Sequence, residues 1–451
     1  MIHHKSLLLS FILLLFVNVI YAQDQPIKYD GFAIGADLSM TKAIIDKGGI
    51  YYVDNQVADV FAAFKVRGYD YARIRIFHNP NGEEGTVNSL EYTLQLAQQI
   101  KDAGLKLLLD FHYSDWWADP SQQTKPAAWT NLDFITLNDS IYNYTMMVMN
   151  KLASQGISPD MVQTGNEIHH GMLWPDGEIW INGQSNWTKF TTLLKSAIRG
   201  VMDSNEGFNI PIMVHGISSS NTQESQAYID SLLVYNVDFD IIGMSYYLCW
   251  DGTPDLLDEN LAFINTNYDK DIILVETSYR ADGDLPEWCM VETEDQPFPL
   301  SEEGQYNYIQ SIYNTLIKYS NAKGLFYWGG ELIWADDIGG SYSSLFHWEG
   351  HALKGFDAFK DLNLSTPNFI PSPIFELELN QNKKLRINSK ENITEDLQLV
   401  VINMEGKTLY NQYLEDKFTT IDLSEIKMGI YIIYIKTNRR ILHTEKILIN
   451  Y

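Results

Sequence analysis

The chain has few basic residues, and this shortage limits its possible partners. Its 32 Lys and Arg stand against 58 Asp and Glu, which leaves a formal net charge of -26 at pH 7. A negative field of this size repels nucleic-acid phosphates and anionic membrane surfaces, so we expect no nucleic-acid partner. A neutral polymer carries no such electrostatic penalty, whereas a strongly anionic polysaccharide does.

Cysteine is also scarce, with only Cys249 and Cys289 in 451 residues. A disulfide framework therefore cannot hold this fold together, and a chain of this length can bury a sizeable core without one. An oxidising compartment permits the two thiols to pair. The sequence leaves open whether they do.

The apolar run at the N-terminus, Leu7–Ile20, is shorter than the about 20 residues that span a bilayer. It follows Lys5 and ends near Ala22, and this order of basic start, apolar centre and small residue is typical of a signal peptide. No cysteine follows at once to carry a lipid anchor. We expect residues 1–22 to be removed and the protein to be secreted or held at the cell surface. A membrane anchor is the alternative.

Eight short β-rich segments recur along the chain, separated by stretches compatible with helices. Helical periodicity is clearest in Leu90–Ala103, Trp187–Met202 and Gln305–Tyr319. Strands that alternate with helices predict an α/β fold, a (β/α)8 TIM barrel, which we assign to residues 23–361. The predicted strands are Phe32–Leu38, Tyr71–Phe77, Lys106–His112, Met161–Glu167, Ile212–His215, Ile241–Tyr246, Ile272–Thr277 and Gly324–Trp328.

The composition changes after the barrel. Residues 362–373 contain three prolines and are predicted to be a linker. Residues 374–451 are rich in β-forming segments and predict a small all-β, β-sandwich-like domain. Its predicted strands are Leu377–Ile387, Leu397–Asn403, Lys407–Tyr413, Gly429–Lys436 and Lys446–Ile449.

Polar or chemically capable side chains stand at the C-terminal ends of the eight predicted barrel strands. The active sites of TIM barrels are built at this end of the barrel. The residues are Asp37, His78, His112, Glu167, His215, Tyr246, Glu276 and Trp328.

Two of these residues predict a reaction. Retaining hydrolysis of a glycosidic bond needs two carboxyl groups about 5–5.5 Å apart, one to protonate the leaving oxygen and one to attack the anomeric carbon. Glu167 and Glu276 end the fourth and seventh strands, which face each other across the barrel mouth. The alternative is two loop carboxylates in structural salt bridges. Asn166, directly before Glu167, is expected to bind the sugar 2-hydroxyl.

The predicted barrel contains seven distinctive stretches: residues 35–39 (GADLS), 73–80 (RIRIFHNP), 109–120 (LDFHYSDWWADP), 163–168 (QTGNEI), 171–175 (GMLWP), 243–247 (GMSYY) and 275–279 (VETSY). These stretches resemble glycoside hydrolase family 53, the arabinogalactan endo-β-1,4-galactanases, and the resemblance covers about residues 30–360. The resemblance implies endo-cleavage of β-1,4-galactan, with Glu167 as acid/base and Glu276 as nucleophile. The rival functions are another retaining β-glycanase, such as a mannanase, and a non-catalytic glycan-binding barrel.

The resemblance also implies roles for residues around the two glutamates. Arg73 would hold the nucleophile ionised, Tyr246 would hydrogen-bond it, and Trp328 would form the sugar floor. For His112, Asp115 and His215, a structural role is as well supported as substrate contact. The full set of expected substrate-binding residues is Asp37, Arg73, His112, Asp115, Trp117, Asn166, Trp174, His215, Tyr246 and Trp328.

No cofactor is expected to be required. His169-His170 lacks the further ligands of a catalytic zinc site. Some bacterial members of the family hold a structural calcium after the seventh strand, and Asp282 and Asp284 are possible ligands, although the motif matches poorly. The sequence also departs from the family at Gly329-Gly330-Glu331, where an acidic residue and a proline usually follow the tryptophan, so substrate contacts on that side do not carry over.

The tail resembles the C-terminal sorting domain of type IX secretion. The matching stretches are residues 403–407 (NMEGK), 429–433 (GIYII) and 445–449 (EKILI). This implies the secretion machinery as a partner and passage through the outer membrane. A generic β-sandwich accessory, such as a carbohydrate-binding module, is the alternative. We expect a monomer.

Overall fold

The computed structural model describes residues 31–285, 289, 296–336 and 338–360, together with the strands of the tail and residues beside them between 375 and 449. The predicted signal peptide and linker lie outside the described residues. The chain divides into two compact units, one that ends at Lys360 and one that begins at Asp361.

Eight parallel strands of the first unit form a closed barrel, in which each strand pairs with the next and the last returns to the first. The predicted (β/α)8 barrel is therefore confirmed. The strands are β1 (Ala33–Asp37), β2 (Tyr71–Ile76), β3 (Lys106–Phe111), β4 (Met161–Thr164), β5 (Ile212–His215), β6 (Ile241–Tyr246), β7 (Asp271–Thr277) and β8 (Ala322–Tyr327).

One strand ends earlier than its sequence predicts. The β-rich pattern extends to Glu167, but β4 ends at Thr164. Gly165 and Glu167 both have positive φ, at 103° and 46°, which is outside the extended region of the backbone. The chain therefore turns out of the barrel wall here, and Glu167 stands on the turn rather than on the strand.

The barrel strands are almost wholly buried, as expected for a parallel sheet covered by helices. Only glycine fits at position 35 in β1, because the Cβ of any other residue there would lie 2.3 Å from the ring of Phe326. Tyr71 belongs to the interior layer, so residues two and four positions further along β2 also point into the barrel. That layer consists of Ala33, Tyr71, Leu108, Met161, Met213, Ile241, Ile273, Val275 and Phe326.

Helices connect the strands and cover the barrel, and several begin with a side-chain cap. Ser89, Asp133, Asn221 and Ser301 each accept a hydrogen bond from a backbone N–H in the first turn of the helix that follows. No helix within the described residues is both long and apolar enough to cross a membrane. The helices are α1 (Thr41–Asp46), α2 (Val60–Val66), α3 (Leu90–Asp102), α4 (Phe134–Ser154), α5 (Trp187–Met202), α6 (Thr222–Val234), α7 (Leu248–Asp251), α8 (Pro254–Asn267) and α9 (Glu302–Leu316).

The loops at the C-terminal ends of the strands carry further structure. Three short hairpins pair Tyr52–Val53 with Gln56–Val57, Gly171–Met172 with Gly177–Glu178, and Trp180–Ile181 with Gln184–Ser185. The two cysteines, whose pairing the sequence left open, form a disulfide between Cys249 and Cys289. This bond joins the loop after β6 to the loop after β7.

The second unit is all-β and has its own core. Its described strands are β9 (Phe375–Leu379), β10 (Lys384–Ser389), β11 (Leu397–Asn403), β12 (Thr408–Leu414), β13 (Phe418–Asp422), β14 (Gly429–Lys436) and β15 (Ile441–Ile449). A three-stranded antiparallel sheet has the order β9-β10-β13, and a four-stranded sheet has the order β12-β11-β14-β15. One hydrophobic cluster takes side chains from both sheets, including Leu385 and Ile387 from the first and Val401 and Ile433 from the second.

The strand boundaries predicted for the tail were partly wrong. The segment Leu377–Ile387 is two antiparallel strands, in which Leu377 pairs with Ile387. Apolar and polar residues alternate both before and after the polar residues 380–383. This alternation is the same in the two strands, so it does not show where the chain reverses direction between them. The strand Phe418–Asp422 was missed.

Candidate active site

Arg73 is the centre of a polar cluster inside the C-terminal mouth of the barrel and is only 1% exposed. Its Nη1 lies 3.0 Å from Asp37 Oδ2, and its Nη2 lies 2.9 Å from Asp110 Oδ2 and 2.7 Å from Glu276 Oε1. Burial lowers the pKa of Arg73, but the carboxylates of Asp110, Glu276 and Asp37 raise it well above its ordinary value. Arg73 is therefore a permanent cation.

Glu276 is buried at the end of β7 and has a polar contact at each of its oxygens. Besides the contact with Arg73, its Oε2 accepts from the hydroxyl of Tyr247 at 2.8 Å. Burial raises the pKa of Glu276, and the Arg73 cation and the Tyr247 hydroxyl oppose that rise. The contact that the resemblance implied between Arg73 and the expected nucleophile is present.

The prediction that Tyr246 hydrogen-bonds Glu276 was wrong by one residue. The hydroxyl of Tyr246 donates to the carbonyl oxygen of Gly252 at 2.8 Å, not to the carboxylate. Successive side chains of an extended segment point to opposite sides. Ser245 and Tyr247 therefore face the mouth of the barrel together, while Tyr246 faces away.

Glu167 stands on the turn after β4 and accepts a hydrogen bond at Oε1 from the hydroxyl of Ser245, at 2.8 Å. Ser245 is also the neighbour of Glu276 across the β6–β7 pair. Burial raises the pKa of Glu167 to about 8, and the charge of Glu276 adds to the rise. The two carboxyl groups thus lie close enough to influence each other, on either side of the segment from Ser245 to Tyr247.

The surroundings of the two carboxyl groups are unequal. Glu276 has a cation and a hydroxyl donor, which favour its ionised form. Glu167 has one hydroxyl donor, and its raised pKa leaves it protonated at neutral pH. One carboxylic acid beside one carboxylate is the state from which retaining glycoside hydrolysis begins.

One cavity adjoins Glu167 and a second adjoins Asp37 of the Arg73 cluster, and each is lined by tryptophan. One has a volume of about 490 Å³ and is lined by Glu167, Ser245, Tyr247 and Trp250, among others. The other has a volume of about 530 Å³ and is lined by Asp37, Arg75, Trp117, Trp328 and Glu331, among others. Rings that expose a flat apolar face beside polar groups are suited to a sugar chain.

Besides Arg73, four of the expected binding residues lie at the site. Asp37, Trp117 and Trp328 line the second cavity. Asn166 is held by the protein, because its Oδ1 accepts from Arg73 Nη2 at 2.8 Å while its Nδ2 donates to a backbone carbonyl. One Nδ2 hydrogen of Asn166 stays available for a ligand.

For the two histidines, the structure favours the structural alternative. His112 Nε2 lies 3.2 Å from Asp110 Oδ2, and its Nδ1 accepts from the backbone N–H of Ala118 at 3.2 Å. His215 is 0% exposed, and both of its ring nitrogens contact protein side chains. Both nitrogens of each ring face protein atoms, which supports the structural role, and contact with substrate stays a prediction.

Asp115 and Trp174 line neither of the two cavities. The oxygens of Asp115 accept from the backbone N–H groups of Asn79 and Ala127, at 2.9 and 2.8 Å, so this side chain holds two loops together. The indole of Trp174 donates to the carbonyl of His170 at 3.2 Å. Their expected contact with substrate stays a prediction.

Sequence reasoning missed several residues that build the site. Ser245 and Tyr247 contact the two carboxyl groups, and Gln163 and Asp110 lie beside Arg73. A signal for the last two exists in the sequence, because a polar side chain inside a buried strand needs a buried partner. For Ser245 and Tyr247 the signal is their shared position in the period of two, on the side opposite Tyr246.

The expectations about metals remain predictions. Among the residues that the structure describes, no cluster of three or more His, Cys, Asp or Glu side chains is arranged to hold a metal ion. Asp282 and Asp284 are described, but residues 286–288 and 290–295 of the same loop lie outside the described part of the chain.

A closed (β/α)8 barrel that holds a carboxylic acid beside a carboxylate at its C-terminal mouth defines a glycoside hydrolase. Residues 33–365 match the model of glycosyl hydrolase family 53, and the chain belongs to this family. The resemblance found in the sequence is therefore confirmed.

Relatives with assigned names agree with the family. An arabinogalactan endo-β-1,4-galactanase of Humicola insolens is 34% identical, with 70% of this chain and 95% of that protein covered. An endo-β-1,4-galactanase of Bacillus subtilis is 31% identical, with 66% of this chain and 69% of that protein covered. The solved Ignisphaera aggregans GH53 catalytic domain is 34% identical with a TM-score of 0.67, and the match covers 73% of this chain and 96% of that one.

The second unit has a separate match. Residues 381–450 fit the model of a secretion system C-terminal sorting domain. The predicted kind of tail is thereby confirmed, and the alternative of a carbohydrate-binding accessory gains no support.

The hydroxyl bond from Tyr247 to Glu276 is testable with its neighbour as a matched control. Tyr247→Phe should lower kcat/KM roughly 10- to 100-fold, because a hydrogen bond to a charged group is lost. The same bond lowers the pKa of Glu276. Its loss should therefore move the acidic limb of the pH profile to higher pH, since hydrolysis needs Glu276 ionised.

The control, Tyr246→Phe, removes the same atom from the adjacent residue, whose hydroxyl bonds to a backbone carbonyl. It should lower thermal stability slightly and leave the pH profile of kcat/KM in place. An unmoved acidic limb in Tyr247→Phe, or equal shifts in both variants, would contradict the assignment.

Proposed function

We propose that this protein is an endo-acting, retaining hydrolase of β-1,4-galactan, the polymer of type I arabinogalactan and pectin side chains. The observation that carries the proposal is the carboxyl pair, in which Glu276 Oε1 lies 2.7 Å from Arg73 Nη2 and burial raises the pKa of Glu167 to about 8. Membership of family 53 and the named galactanases among the relatives indicate that the substrate is β-1,4-galactan. The net charge of -26 is compatible with a neutral polymer and opposes a polyanion.

The reaction uses the two carboxyl groups in turn. Glu276 attacks the anomeric carbon while Glu167 gives its proton to the glycosidic oxygen, which leaves with the departing chain. A covalent glycosyl-enzyme on Glu276 results. Glu167, now ionised, takes a proton from water, and the water breaks the glycosyl ester from the opposite face. The free Nδ2 hydrogen of Asn166 is available to the sugar 2-hydroxyl, and no cofactor enters these steps.

The substrate proposal is tested by comparing polymers side by side. Purified protein should release reducing ends from unbranched β-1,4-galactan and yield short oligosaccharides, because the chain belongs to family 53 and its tryptophan-lined cavities are suited to a sugar chain. Mannan and xylan should be poor substrates. Faster hydrolysis of mannan than of galactan would overturn the proposed substrate and leave a different retaining glycanase.

The two catalytic roles are tested by azide rescue. Glu167→Ala removes the proton donor and should lower the rate on galactan about 10²–10⁴-fold. An aryl galactobioside with an acidic phenol departs without protonation, so this variant should still form the glycosyl-enzyme. Azide needs no base and should restore turnover by attack on that intermediate, which gives the β-galactosyl azide.

Glu276→Ala removes the nucleophile, so azide can only replace it on the opposite face and give the α-galactosyl azide. The anomeric configuration of each product is read by proton NMR. A β-azide from Glu276→Ala together with an α-azide from Glu167→Ala would mean that the two roles are reversed.

We further propose that the second unit directs export and that the N-terminal run acts as a signal peptide. The match to a sorting domain and the separate core of this unit support the proposal. A chain that ends at Leu364 should keep the specific activity of the purified full chain. In the native host it should be retained in the cell envelope, as measured by fractionation. Normal surface delivery of the shortened chain would contradict the sorting role.

A further inference from the structure

A line of hydrogen bonds connects Arg73 to Glu167, and the donors and acceptors along it indicate the direction of each bond. It starts at Arg73 Nε, which lies 3.3 Å from Gln163 Oε1. A guanidinium can only donate, so this Gln163 oxygen accepts. The amide nitrogen of Gln163 therefore points the other way. One of its hydrogens goes to Asp110 Oδ1 at 2.7 Å, and the other is directed to His215 Nδ1 at 3.0 Å, Asn166 Oδ1 at 3.2 Å and the carbonyl of Gly165 at 3.2 Å.

His215 takes one tautomer in this arrangement. Its Nδ1 faces the Gln163 amide nitrogen and, at 3.4 Å, the backbone N–H of Glu167, both of which are donors. Asn166 Oδ1 also lies 3.3 Å from Nδ1, but its two lone pairs face shorter donors, Arg73 Nη2 at 2.8 Å and Gln163 Nε2 at 3.2 Å. Burial and then the Arg73 charge hold the pKa of His215 well below its ordinary value, so the ring is neutral. Its one proton is therefore on Nε2.

The proton on His215 Nε2 orients the next hydroxyl. Nε2 lies 2.9 Å from Ser245 Oγ, which must accept. The hydroxyl hydrogen of Ser245 is then directed to its other neighbour, Glu167 Oε1, at 2.8 Å. An oxygen that accepts this hydrogen bond is a poor place for a second proton. The acid proton of Glu167 therefore belongs on Oε2.

We propose that Gln163, His215 and Ser245 are positioning residues that place the acid proton of Glu167 on Oε2, the oxygen left for the departing glycosidic oxygen. The inference rests on the proposed role of Glu167 as the acid. After proton transfer Ser245 still donates to the carboxylate, so the same bond stabilises the base of the second step. The line begins at the arginine that binds Glu276, so one cation orients both carboxyl groups.

Other groups also act on Glu167, and the test has to separate them from Ser245. Glu276 on β7 and Asp119 after β3 raise the pKa of Glu167, whereas Arg73 on β2 lowers it. The further titratable groups close to it are Tyr247 and His169. None of these groups is altered by a substitution at Ser245.

The first experiment is Ser245→Ala, read with two leaving groups. On galactan, kcat should fall roughly tenfold with KM little changed, because the acid proton is no longer confined to one oxygen. With an acidic aryl glycoside that the enzyme accepts, kcat/KM should change little, because this ratio reports the glycosylation step and the phenol departs without protonation. The Ser245 bond lowers the pKa of Glu167, so its loss should move the alkaline limb of the pH profile to higher pH.

Two variants provide the controls. Ser245→Thr keeps the hydroxyl and should recover most of the loss on galactan. Thr277→Val removes a buried hydroxyl on the neighbouring strand, one that bonds to Tyr308 rather than to either carboxyl group, and should leave the alkaline limb in place. Equal losses of Ser245→Ala on both leaving groups, or an unmoved alkaline limb, would overturn the proposal and indicate a structural role only.

The second experiment needs no substrate, so it separates this inference from the proposed function. Protein labelled with ¹⁵N at its 10 histidines is titrated by NMR, and the His215 signals are assigned by their loss in His215→Gln. The signals should report a neutral ring protonated on Nε2 between about pH 5 and 8, where an ordinary histidine titrates. A proton on Nδ1, or a charged ring within that interval, would refute the direction of the line even if galactan is hydrolysed as expected.

Discussion

The burial of Arg73 is the constraint on which the rest of the site depends. A guanidinium 1% exposed inside a barrel is stable only if its charge and its hydrogens are matched. Asp37, Asp110 and Glu276 supply the charge, and the loss of the cation would leave three carboxylates facing one another at a cost of about 3–5 kcal/mol or more. Glu276 thus takes part in a structural ion cluster as well as in the proposed chemistry.

The same cation makes two chemically identical side chains unequal. Glu276 lies against Arg73 and receives the Tyr247 hydroxyl, whereas Glu167 has only the Ser245 hydroxyl and stays protonated near neutral pH. The barrel allows this because its strands bring residues far apart in sequence to one mouth, where helices and loops exclude water. In water the two groups would titrate alike. The difference in pKa between Glu167 and Glu276 therefore comes from where each side chain lies in the barrel.

Much of this arrangement can be predicted from the sequence. The recurring β-rich segments predicted the barrel, and the polar residues at the ends of those segments pointed to Glu167 and Glu276, because a parallel barrel brings its strand ends together at one mouth. Roles that depend on hydrogen-bond partners were not accessible in this way. His112 and His215 are residue types that often bind ligands, and they stand at strand ends, yet the nitrogens of both rings contact protein atoms.

The sequence by itself determined the fold class, the two glutamates, the family and the sorting tail, because each depends on local pattern or on a long contiguous motif. Tertiary structure alone decided that Tyr247 rather than Tyr246 reaches Glu276, that Cys249 pairs with Cys289, and how the side chains around Arg73 bond. The physical reason is the distance along the chain over which each feature is encoded. A strand pattern is encoded in neighbouring residues, whereas a hydrogen bond of 2.8 Å depends on where separate strands, brought together by the closed barrel, place single atoms.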